Sequence, residues 1–371
     1  MEWILSLIQD PNQYRFFEMG TLVLGMMIFL GIGRYRRLLL NVDAMPQPTS
    51  KRLQIWDAMR GIAILGVIII HTSFLMIGDG GNSYLELWYL SVTNNLSRFA
   101  IATFFFASGL LLKPFRWESQ SIFRFYWTKC VRIVIPYVAV TTLLWRTGYA
   151  EGTLGSLLLT GKAAIPLYFV PALIQAYLVY PILDRLRSRI PRILFGGSLV
   201  LALVWYGLEI YRIGGIVPVI PFLPFFIYGM VRQDLLSSPP SRKWYELVGM
   251  FVAINIIGGL GSILLEPHLR VYLSWYFYND RYLYGFAGTL ALVRYIPTIP
   301  VVERILAWIG TRSLWIFLIH YPIQELIVSL LPWNSGGLVL WHIVATLGTM
   351  AVVIPLAWGY DRIYTQLTKS L

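Results

Sequence analysis

The sequence predicts an all-α, polytopic integral membrane protein with about eleven transmembrane helices. Three observations carry that prediction. Apolar runs near the ~20 residues that a spanning helix needs recur along the chain. Hydrophobic residues make up 57% of the 371 positions and charged residues only 13%. Lysine and arginine gather in alternate loops rather than spreading evenly. Such a composition excludes a soluble globular protein with an ordinary polar surface.

The runs have rough limits at residues 17 to 33, 61 to 77, 97 to 112, 131 to 145, 166 to 183 and 193 to 211, then 216 to 231, 245 to 265, 282 to 299, 305 to 320 and 338 to 358. Residues 1 to 50 read as an extra N-terminal transmembrane helix with a basic cytoplasmic linker. Residues 51 to 371 read as the main membrane domain. Arg34, Arg36 and Arg37 follow the first apolar run instead of preceding it, so a cleavable signal peptide is not expected. The stretches 78 to 95 and 148 to 164 are rich in glycine, serine, threonine and asparagine and read as loops.

One set of alternate loops holds 22 of the 30 basic residues, against seven on the other side, with Arg312 inside an apolar run. That bias predicts an outside amino terminus and a cytoplasmic carboxyl terminus in a plasma (inner) membrane. The net charge of +12 is absorbed by this topology, so membrane lipid and not nucleic acid is the expected partner. The single Cys130 excludes an intrachain disulfide. Zinc, Walker and dinucleotide spacings are all lacking, which disfavours a metal site and both ATP-driven and redox chemistry.

The sharpest chemical signal lies between Asp57 and His71. Arg60 and His71 are eleven residues apart with only apolar residues and glycine between them. On a helix, that separation is within ~20° of three full turns and rises roughly 16 Å. Both side chains then share one face, Arg60 at a membrane surface and His71 near the midplane. An ionisable group there is costly; it serves either as a polar packing contact between helices or as a proton-transfer group. Asp57, one turn before Arg60, is placed to hold the guanidinium.

Lys129 and Arg132 bring two cations one turn apart in what reads as a cytoplasmic loop, suited either to anchoring the chain or to gripping a phosphate. Ser108-Gly109 offers a hydroxyl and a bare backbone inside the third run, where close helix packing is the commoner use. His320 reads as ending its helix near the outer surface. Tyr168, Gln175, Tyr177, Trp315 and Tyr321 suit sugar contacts and interfacial belts equally. His268 and His342 carry weaker signals.

Taken in order, these residues resemble the acyltransferase family 3 membrane proteins. Asp57, Arg60, Gly61, Ile62, Ala63 and His71 match the family's Asp-x-x-Arg-Gly-Ile-Ala element and the histidine that follows it. Phe104 to Leu111 resembles its Phe-Phe-x-x-Ser-Gly-Phe-Leu element, and Arg132 with Pro136-Tyr137 its Arg-x-x-x-Pro-Tyr segment. Leu167 to Phe169 and Gly310 to His320 resemble two further landmarks, so the likeness runs from about residue 51 to 358. It departs at Lys129, where the family has arginine and a bidentate fork is lost.

The resemblance implies a ten-helix core that moves an acyl group, most often acetyl, from cytoplasmic acyl-coenzyme A (acyl-CoA) to a hydroxyl of an envelope glycan or lipid-linked sugar. The coenzyme is then a co-substrate (acetyl-CoA first), not a resident cofactor. By that analogy His71 is the general base, and Arg60, Lys129 and Arg132 engage the coenzyme phosphates. Asp57, Ser108, Tyr168 and His320 play supporting parts. The reading requires one hydrated, continuous cavity joining His71 to Arg60; an imidazole pointing at lipid, or walled off from the cytoplasmic opening by packed side chains, would end that argument. A proton-coupled transporter or exporter of a polar metabolite or saccharide is the rival, with a non-catalytic partner in an envelope-synthesis complex as a third reading. A homo-oligomer is compatible with all three.

Overall fold

A computed structural model describes residues 50–76, 84–208, 213–233, 300–332 and 337–368. The expected spans 17 to 33, 245 to 265 and 282 to 299, and His268, lie outside the described residues. Within them the regular elements are helical, apart from one Ile213–Ile216 bridge at a turn. In chain order they are α1 (Ser50–Met76), α2 (Tyr84–Ser97), α3 (Phe99–Leu110), α4 (Ser119–Lys129) and α5 (Ile135–Arg146). After these come α6 (Leu154–Thr160), α7 (Phe169–Arg189), α8 (Pro191–Gly207), α9 (Leu223–Val231), α10 (Pro300–Thr311), α11 (Ser313–Leu330) and α12 (Leu338–Thr368). Five described stretches are long and apolar enough to cross a membrane: Gln54–Met76, Gln120–Arg146, Ile165–Arg189, Ser313–Leu330 and Leu338–Thr368. The all-helical membrane class is therefore as the sequence predicts.

Helix α1 is the hub, packed against α2, α3, α10, α11 and α12. Its backbone approaches α10 so closely that a methyl on Gly61 would overlap the Leu306 carbonyl, and one on Gly310 the Asp57 carbonyl. The α3–α9 crossing repeats the device: Gly109 faces the Phe226 carbonyl and Gly229 the Phe106 carbonyl. Bare backbone at such crossings lets helices gain van der Waals contact where lipid offers no hydrophobic drive. Three of these four glycines belong to the sequence landmarks. Each fixes the helix whose adjoining polar residue, Arg60, Ser108 or Thr311, faces a cavity.

Several boundaries differ from the sequence reading. The stretch 78 to 95 is not a loop where it is described, because α2 starts at Tyr84 and runs almost directly into α3. Its polar groups are satisfied locally: Thr93 and Ser97 hydroxyls donate to carbonyls four residues back, at 2.7 and 2.9 Å, and Asn94 Nδ2 donates to the Ile70 carbonyl of α1 at 2.9 Å. Nor do Lys129 and Arg132 lie in a loop. A π-turn, Cys130–Val134, joins α4 to α5, with Ile135 N–H donating to the Cys130 carbonyl. Pro136 has no N–H to offer Arg132, and the wider turn accommodates that loss.

His320 is inside its helix, not at the end. Helix α11 passes through Pro322 and continues to Leu330, as membrane helices can when neighbours satisfy the freed backbone. Arg187, one of the 22 basic residues assigned to one set of loops, is buried: it pairs with Asp184 at 2.7 Å and donates to the Met230 carbonyl at 3.0 Å. Arg312 caps the break between α10 and α11, 3.6 Å from Asp361.

Candidate functional site

Two cavities are lined in part by α1, one at Arg60 and one at His71. The larger, about 700 Å³, is lined by Asp57, Arg60, Ser108, Lys129, Arg132 and Tyr177, with Trp315, Asp361 and Tyr364 among the other wall residues. We call it the basic chamber. The Arg60 guanidinium is ion-paired with Asp57 one turn back, and its Nε is buried without a hydrogen-bond partner among the described residues. Lys129 Nζ lies over the Tyr177 ring, 4.1 Å from its centroid, an attraction that holds the ammonium at the chamber wall. Arg132 is exposed, and neither cation forms an ion pair with a described carboxylate. The π-turn carbonyl of Val131 accepts the Tyr364 hydroxyl of α12, which ties this wall to the last helix.

The smaller cavity, about 180 Å³, is lined by His71, Asn94, Arg98, Tyr168 and an apolar shell that includes Ile101, Phe222 and Phe225. His71, half-buried, sits with its ring centroid 5.4 Å from that of His320 and 5.3 Å from that of Tyr321, the latter edge-on. His320 is fully buried and its Nδ1–H donates to the Phe317 carbonyl at 2.7 Å. That bond leaves Nε2 as a bare acceptor, and it has no partner among the described residues. Gln324 completes the seam, donating to the Ile68 carbonyl at 2.8 Å and to the Thr72 hydroxyl. Arg98 Nε donates to Asn94 Oδ1 at 3.0 Å, and both present polar groups to the His71 side.

The residues expected from the sequence thus separate into two groups. Asp57, Arg60, Ser108, Lys129 and Arg132 meet in the basic chamber; His71 and Tyr168 meet in the histidine chamber, with His320 packed beside it. The single hydrated cavity expected to join Arg60 to His71 is not what the structure holds. Phe169 and Phe317 line both chambers and stand between them.

Other polar residues prove structural. Gln175 clamps the chain before α9, donating to the Val217 carbonyl and accepting from Val219 N–H, both at 3.0 Å. His342 is bonded at both ring nitrogens, to Ser73 and Tyr89 at 3.0 Å each. Ser73 donates its own proton to the Ile69 carbonyl, so the imidazole N–H points at the serine oxygen and cannot deprotonate it. Asn94, Arg98 and Glu325 were not singled out from sequence. Glu325 accepts the Tyr149 hydroxyl, and burial, followed by that carboxylate, pushes the Tyr149 pKa up and keeps it a donor.

A family model described as an acyltransferase domain matches residues 53–358. Neither a curated protein nor a solved structure matches the chain. The match covers most of the sequence, begins just before Asp57 and ends within α12. The chain therefore belongs to the acyltransferase family 3 and is an integral membrane acyltransferase.

Proposed function

We propose that the protein takes an acyl group, most readily acetyl, from acyl-CoA held at the basic chamber. It passes that group to a hydroxyl of an envelope glycan or lipid-linked sugar at the histidine chamber. The observation that carries this reading is the placement of Arg60 and His71 on one unbroken helix, each opening into its own chamber. Phosphates are too hydrophilic to enter hydrocarbon, so the coenzyme stops at the cations while only its slender arm goes further. The bias of basic residues toward one set of loops supports a cytoplasmic side for the basic chamber.

In the transfer step the His71 imidazole accepts the proton of the attacking hydroxyl. The hydroxyl oxygen forms a bond to the thioester carbonyl carbon, the carbon–sulfur bond breaks, and the departing thiolate takes the proton back as coenzyme thiol. Arg60, oriented by Asp57, grips phosphate with Lys129 and Arg132 as charge-assisted donors. Ser108 offers a hydroxyl to the bound arm, and Tyr168, with Asn94 and Arg98, supplies hydrogen bonds to a polar acceptor. His320 supports the His71 ring from the side.

The test is reconstitution in proteoliposomes with labelled acetyl-CoA on one face and a sugar acceptor on the other. Labelled ester on the acceptor, with the coenzyme left on its own face, supports the reading. Accumulation of unmodified sugar inside without any donor favours the transporter instead.

A further inference from the structure

Two side chains, Phe169 and Phe317, line both chambers. Phe169 and Phe317 have ring centroids 5.1 Å apart and planes tilted by 53°, and each is 6% exposed. Rings at that distance are in contact and leave no opening between them. Phe169 stands at the first turn of α7, directly after the short 3₁₀ turn Ile165–Tyr168, and its ring also meets Phe104 at 5.9 Å and Phe105 at 5.0 Å. Phe317 lies one turn before His320, whose ring is 5.7 Å away and whose Nδ1–H bonds the Phe317 carbonyl.

We propose that Phe169 and Phe317 form a gate that selects the acyl group. The inference rests on the function read above, in which a thioester held at the basic chamber must meet the base at His71. With the rings in contact the thioester cannot reach the imidazole, so one ring must swing aside in each cycle. What then enters must fit about 180 Å³, a space worth roughly six water volumes, and must share it with the acceptor hydroxyl. A two-carbon acyl group fits; a long chain meets Phe222 and Phe225 on the far wall. Between cycles the closed rings hold a thioester in the basic chamber away from the His71 base, which limits its hydrolysis by water activated there.

The experiment compares wild type with Phe317→Ala, Phe169→Ala, Phe169→Leu and Phe317→Trp, using acetyl-, butyryl- and hexanoyl-CoA. Ester product, free acid and acetyl-CoA affinity are each measured. Both alanine variants should raise the hexanoyl-to-acetyl rate ratio at least tenfold and increase the share of free acid, with donor affinity within twofold of wild type. The leucine variant should show a smaller change in the same direction, and the tryptophan variant should bind donor but lose transfer. If the alanine variants fail to fold, the leucine and tryptophan variants carry the test. Unchanged chain-length ratios and hydrolysis in folded, active variants overturn the gate while leaving the transfer reaction standing. A wild-type protein that transfers no acyl group from any donor overturns both.

Discussion

The basic chamber and the histidine chamber open on one helix, at Arg60 and at His71, yet they handle polarity in opposite ways. The basic chamber keeps its charges wet: Arg132 is exposed, the Arg60 side chain is 32% exposed, and Asp57 and Asp361 temper the cations. The histidine chamber is one quarter the volume and is walled largely by aromatic and aliphatic groups, and the hydrogen bonds beside it fix the His320 ring and tie Gln324 to the Ile68 carbonyl. A strongly charged ligand suits the first and a small neutral group the second. The cations Arg60, Lys129 and Arg132 line only the first; in the second, Arg98 is the cation beside His71, and its Nε donates to Asn94.

The largest effect that would break this comparison is on the chemical step. His71→Ala should lower the turnover of acyl transfer by about a hundred- to ten-thousand-fold, the usual contribution of a general base, while donor affinity stays near wild type. A matching loss of donor affinity would mean the two chambers act as one. Next in size, Arg60→Ala should raise the donor KM about tenfold or more, since hydrogen bonds to charged groups are worth about 1.5–3 kcal/mol, with turnover at saturation little changed. The exposed Arg132 should give a smaller rise in KM that shrinks further in high salt.

Two structural substitutions sharpen the comparison. Gly61→Ala forces a methyl against the Leu306 carbonyl and should cost about 1–3 kcal/mol, seen as a lowered unfolding temperature in detergent. Because α1 serves both chambers, donor and acceptor KM should rise together. Gln175→Ala removes two bonds to the segment that leads to Pro221 and Phe222, at about 1–2 kcal/mol. It should loosen only the histidine chamber, raising acceptor KM and leaving donor KM alone.

Chemistry was more legible in the sequence than geometry. Arg60 and His71 stood out because ionisable groups are rare in apolar runs, and their eleven-residue separation needs only helical periodicity to place them on one face. Phe169 and Phe317 could not stand out, since phenylalanine within an apolar run looks like any core residue. Asn94 was hidden because the serine, threonine and asparagine around it resembled a loop, whereas in the fold Thr93, Asn94 and Ser97 bond to carbonyls along and across helices. Pro322 made His320 look terminal, though a membrane helix carries proline through when its neighbours pack well. The glycines at 61, 109 and 310 were visible as landmarks, but only the helix crossings explain why a side chain is not tolerated there.

The most direct test of the two-chamber account is a density map of the full-length protein with a non-hydrolysable acetyl-CoA analogue bound. The account predicts phosphate density against Arg60, Lys129 and Arg132, with the acyl end reaching the Phe169–Phe317 pair and pointing toward His71. Phosphate density beside His71, or an acyl end turned away from the two phenylalanines into lipid, would contradict it.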